Sequence, residues 1–83
     1  MINTVTAEVV VENGDMVRAD RLLEGQLVIR RNYVATVKSV VFNDNGTEVT
    51  VRLRFPHKDM ATGMEWFVTD RGAMFQTLRV SLV

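Results

Sequence analysis

Apolar and polar positions alternate with a period of two along most of the chain, a pattern that predicts strands rather than helices. Val5, Ala7, Val9 and Val11 alternate with Thr4, Thr6, Glu8 and Val10, giving a first strand with one buried face. Asn13-Gly14-Asp15 then predicts a turn, because Asn-Gly is a strong short-range turn signal. Met16-Val17-Arg18 predicts a short extended piece. Residues 19–25 are too few for a stable helix and predict a single helical turn closed by Gly25 in the left-handed conformation. A second strand starts at Leu27-Val28-Ile29.

The centre carries the clearest signal. Residues 33–42 are rich in β-branched and aromatic side chains. Asn43-Asp44-Asn45-Gly46 predicts a turn, and 47–55 the return strand of a β-hairpin. On that strand Val49, Val51, Leu53 and Phe55 share one face, and Thr50, Arg52 and Arg54 the other. Ser39-Val40-Val41-Phe42 breaks strict alternation, which predicts a bulge or an arm covered on both sides. Pro56 ends the return strand, since proline cannot donate to a ladder. A loop over 57–63, a strand over 65–69, a tight turn at Asp70-Arg71-Gly72 and a last strand over 74–83 complete the chain. In the last strand Leu78, Val80 and Leu82 form the expected apolar face, against Thr77, Arg79 and Ser81.

Five or six short strands in 83 residues predict one all-β domain spanning 1–83. The expected architecture is a small five- or six-stranded barrel of the SH3-like type or a strongly bent antiparallel sheet. Apolar residues at 47% and charged residues at 24% are those of a folded chain. The absence of cysteine excludes a disulfide or a thiolate zinc site and fits a cytoplasmic protein. No stretch has the length of a membrane-spanning helix, and the start has no signal-peptide pattern. Ten acidic and ten basic residues cancel. Within 30–58, however, Arg30, Arg31, Lys38, Arg52, Arg54 and Lys58 stand against only Asp44 and Glu48.

Catalytic chemistry finds little support. The single histidine, His57, has one nearby carboxylate, Asp59, where a metal site needs three or four converging groups. Ser39 and Ser81 lie outside any nucleophile-elbow context. No glycine spacing fits a phosphate-cradling loop. No catalytic residue, cofactor or metal ligand is therefore expected, and the chain reads as a non-enzymatic module. Two surfaces stand out instead. Met60, Met64, Trp66 and Phe67 combine adaptable methionines with large aromatics, as protein-binding surfaces do. Trp66 and Phe67 are adjacent, so on a strand they point to opposite faces and one of them leaves a one-sided core. The alternative surface is basic: Lys38, Arg52 and Arg54 on the outer face of the central hairpin, extended by Arg30 and Arg31, would contact nucleic-acid phosphate.

One longer pattern adds to this. Val17-Arg18-Ala19-Asp20-Arg21-Leu22-Leu23-Glu24-Gly25-Gln26-Leu27-Val28 is similar to a "V-x-A-x-x-L-x-x-G-D-x-V" opening, with Gln26 where the pattern has aspartate. Ala35-Thr36-Val37-Lys38-Ser39-Val40, a turn, and Glu48-Val49-Thr50-Val51 follow. Residues 17–55 thus resemble the small β-barrel proteins of actinobacteria and their bacteriophages. The resemblance implies the barrel fold and a bacterial or phage setting, and it transfers no site residue. The leading expectation is a module that binds a protein partner or itself, a homodimer included; the alternative is a nucleic-acid-binding barrel.

Overall fold

The computed structural model describes residues 9–55 and 63–82, so expectations for Val5, Ala7, Pro56, His57, Asp59 and Met60 lie outside the described residues. The described chain forms six strands: β1 (Val9–Arg18), β2 (Leu27–Arg30), β3 (Tyr33–Phe42), β4 (Glu48–Arg54), β5 (Met64–Asp70) and β6 (Met74–Leu82). One turn of 3-10 helix (Ala19–Arg21) follows β1. The strands make one antiparallel sheet in the order β1-β6-β2-β3-β4-β5. No described helix is long and apolar enough to cross a membrane.

The connectivity forces the sheet to bend. Strands β5 and β6 are consecutive in sequence but four positions apart in the sheet, about 19 Å if it were flat. The link from Asp70 to Met74 reaches at most about 14 Å. The sheet therefore rolls until the Phe67 ring of β5 meets the Phe75 ring of β6, with centroids 6.0 Å apart. The result is a strongly bent, barrel-like sheet that stays open among the described residues, where β1 and β5 are edge strands and do not pair with each other. The 3-10 turn closes one end of the seam. Ala19 N–H donates to the Ala73 carbonyl at 2.7 Å, and Asp20 N–H to that of Arg71 at 3.0 Å. The core inside the curl is built from Ala19, Leu22, Val28, Ala35, Val37, Val49, Val51, Leu53, Phe55 and Phe75. Its mostly small side chains suit a tight radius.

Strand β4 matches its expected alternation: Val49, Val51 and Leu53 are fully buried, and Arg52 and Arg54 are exposed. The turn after β2 falls at Arg31-Asn32, both at positive φ (53° and 66°), the geometry of a tight two-residue hairpin. Gln26 braces the turn before β2, since its Oε1 accepts from Leu23 N–H at 2.7 Å.

Two expectations are corrected. Asn13-Gly14-Asp15 is no hairpin turn; it is an irregularity within β1, where the register with β6 shifts between Asn13 and Met16. The Thr77 hydroxyl donates to the Asp15 carbonyl at 2.6 Å, and Gln76 Nε2 donates to the Gly14 carbonyl at 2.7 Å. Strand β6 also faces the other way from the alternation of its apolar residues. Phe75 and Thr77 are buried, whereas Val80 is 48% exposed. Pairing decides this, because Thr77 lies opposite core residue Val28, and Val80 lies opposite Val11, itself 55% exposed. Beyond Leu78 only β1 and β6 remain paired among the described residues, and this two-stranded extension fits a radius of gyration of 15.5 Å, against about 12 Å for a compact chain of this size.

At the end closed by the 3-10 turn, Asp20 is held between Arg18 (2.9 Å) and Arg71 (3.2 Å). Burial pushes its carboxyl up, but the two guanidiniums prevail and hold it below the ordinary 3.8. A carboxylate with a depressed folded-state pKa stabilises the fold above its unfolded value and loses that contribution as pH falls through the folded value. The urea midpoint of the native chain is thus expected to drop as pH falls below about 4, and that of Asp20→Asn to drop less. Parallel acid limbs for the two proteins would refute the clasp.

Candidate binding surface

The candidate surface is the convex face of β3, β4 and β5, the side turned away from the core. Alternation along β4 puts Thr50, Arg52 and Arg54 there, and antiparallel pairing sets β5 residues beside them: Val68 opposite Thr50, Trp66 opposite Arg52, Met64 opposite Arg54. On the other flank β3 supplies Val41, Ser39 and Thr36 opposite the same three residues. The register of β3 shifts between Val37 and Ser39, which leaves Lys38 as the extra residue of a bulge. The irregularity expected from the sequence is therefore present, and Lys38 shares a cleft with Arg52 and Arg54. These three line an open cleft of about 450 Å³ together with Glu24 and Met64.

Trp66 dominates this face. It is 66% exposed, and the Arg52 guanidinium lies over its ring at 4.9 Å from the centroid. Val41 and Val68 are also more than half exposed. A tryptophan in water beside two exposed valines forms an apolar patch, which the neighbouring cations keep soluble. The charge is segregated. Arg18, Arg30, Arg31, Arg71 and Arg79 each meet a carboxylate. Among the described residues Lys38, Arg52 and Arg54 meet none.

The structure divides both sets of candidate residues. Of the protein-binding set, Met64 and Trp66 lie on the convex face and Met60 is outside the described residues. Phe67 turns inward against the core, as one member of an adjacent pair must. Of the basic set, Lys38, Arg52 and Arg54 come together, but Arg30 and Arg31 do not join them. Arg30 shares the parity of buried Val28 and so points to the concave side, where its guanidinium covers Phe67 at 3.8 Å. There Glu65 binds Arg30 at 3.2 Å and Arg31 at 3.0 Å. This Glu65 clasp joins β2 to β5 across the curl. Local patterning does not reveal it, since Arg30 and Glu65 are 35 residues apart. Arg30 Nε and Glu65 Oε2 are buried without a hydrogen-bond partner among the described residues.

Among the described residues no three histidine, aspartate or glutamate side chains stand close enough to hold a metal ion. Comparison with family models, curated proteins and solved structures gives no match to this chain.

Proposed function

We propose that this chain is a non-enzymatic binding module that takes a protein partner on the convex face of β3, β4 and β5. The observation that carries the reading is Trp66, two-thirds exposed and backed by Arg52, amid Met64, Val68, Arg54 and Lys38. Tryptophan and arginine are the residues most enriched at binding hot spots, because each brings a large contact area with a directed polar end. The unpaired cations select a partner segment with acidic groups flanking an apolar anchor. Together with the resemblance over 17–55, we place this activity in the cytoplasm of a bacterial or phage-infected cell.

A second reading, nucleic-acid binding, is favoured by the same unpaired cations. Magnitude ranks it lower. Neutralising about three phosphates gives a salt slope of only about −2 for a single strand, a weak footprint at physiological salt. The chain as a whole carries no net positive charge to add to it.

Panning a peptide display library against the native chain tests the proposal. Recovered peptides are expected to combine acidic residues with an aromatic or aliphatic anchor. They are expected to lose at least about 30-fold in affinity for Trp66→Ala, the loss of a hot-spot residue. Peptides that bind Trp66→Ala equally well would sink the protein reading. Salt-sensitive retention of single-stranded oligonucleotides that is lost in Arg52→Ala/Arg54→Ala would put the second reading in its place.

A further inference from the structure

Beside this face, β5 is an edge strand of the described sheet. The bonds that flank β5 fix which way its backbone points. Phe55 N–H donates to the Gly63 carbonyl at 2.6 Å, and Arg71 N–H to that of Thr47 at 3.0 Å. Odd-numbered residues of β5 therefore bond to β4, and Trp66 and Val68 direct their N–H and C=O groups away from it. Among the described residues those groups meet no partner.

The two edges of the sheet are not equally protected. Strand β1 is interrupted at Asn13–Met16 and carries Glu12, Asp15 and Arg18, devices that discourage edge pairing. Strand β5 keeps an unbroken seven-residue register with β4 and contains no proline or lysine. Its one inward charge, Glu65, is already held by Arg30 and Arg31.

We infer that β5 pairs antiparallel with β5 of a second copy, about a two-fold axis at Phe67. This register uses the whole strand. It sets Trp66 opposite Val68 of the partner copy on the convex side, an aromatic–β-branched pair of the kind that stabilises sheets. Glu65 falls opposite Thr69, and Met64 opposite Asp70, so no like charges meet. The parity is consistent, because Trp66 and Val68 occupy the bonded positions and Phe67 the non-bonded centre. Centring on Trp66 would bring the two Arg52 guanidiniums towards each other, and centring on Val68 would leave Met64 and Glu65 unpaired. A net charge of zero removes long-range repulsion between copies. The dimer also joins the two convex faces into one surface, but it does not depend on what those faces bind.

Sedimentation equilibrium across the micromolar range tests this. The native chain is expected to approach twice its 9.4 kDa monomer mass. Val68→Pro removes an N–H that meets no partner among the described residues of one copy, and is expected to weaken the dimer by about 30-fold, the loss of one bond on each side of the axis. Val68→Lys is expected to dissociate it too while leaving the backbone intact, and it decides the matter if the proline variant does not fold. A native chain that stays monomeric, or a dimer that survives Val68→Lys, overturns the inference. Peptide affinity of the native chain that is the same at concentrations above and below its dimer dissociation would separate this interface from the convex face.

Discussion

Leu53→Ala is expected to lower the stability of the fold by about 3 kcal/mol, the range found when a fully buried leucine is truncated and the cavity stays partly open. Leu53 is the largest fully buried side chain among the described residues, and it sits on β4, which is paired on both sides. Its neighbours cannot easily collapse into the space, because β4 is locked in register with β3 and β5. A domain of this size has about 4–12 kcal/mol in total, so the loss takes a large share. It should lower the melting temperature by about 15 °C. Val41→Ala is the matched control. Val41 is 57% exposed on the convex face, and its truncation should change stability by no more than about 0.5 kcal/mol. Similar losses for both, measured by thermal and urea unfolding, would mean that the assignment of faces is wrong.

Gly14→Ala is the second large effect. A methyl group at residue 14 would lie 2.8 Å from the Thr77 hydroxyl oxygen, and 3.4 Å from the Thr77 carbonyl. That hydroxyl is buried and donates to the Asp15 carbonyl, so it cannot move aside without leaving two polar groups unpaired. Steric strain and the broken bond together should cost about 2–4 kcal/mol. Thr77→Ala alone should cost about 1 kcal/mol, the net value of one hydrogen bond. The double variant Gly14→Ala/Thr77→Ala relieves the closest contact. Its loss should fall short of the sum of the single losses by at least about 1 kcal/mol. Strict additivity in urea unfolding would show that Gly14 and Thr77 do not touch.

Gly14 also shows where the sequence stops informing. Asn-Gly is equally at home in a hairpin turn and in a bulge, and the choice depends on the partner strand. Here the partner is β6, 62 residues downstream, which no local pattern announces. The same long-range pairing inverts the apparent apolar face of β6, since Thr77 rather than Leu78 is set against Val28. By contrast, β4 was legible because both of its faces follow from strict alternation and its neighbours on each side are close in sequence. The all-β class and the central hairpin follow from that same local information. At the candidate surface, the opposition of Trp66 and Phe67 was readable from adjacency alone, and the bulge near Ser39 from the break in alternation. Arg30 and Arg31 were misplaced because their ion partner, Glu65, becomes their neighbour only when the sheet curls.

Strand β5 turns Trp66 out and Phe67 in. A slip of one residue in its register would exchange them. Trp66 is the only tryptophan in the chain, so its fluorescence reports this directly. The measurement is acrylamide quenching of the native protein, compared with the urea-unfolded chain and repeated on Val68→Lys. Emission at the water-exposed end of the range, with quenching close to that of the unfolded chain, is the result this structure predicts. Blue-shifted emission that resists the quencher in both proteins would place Trp66 in the core and contradict the binding surface described here.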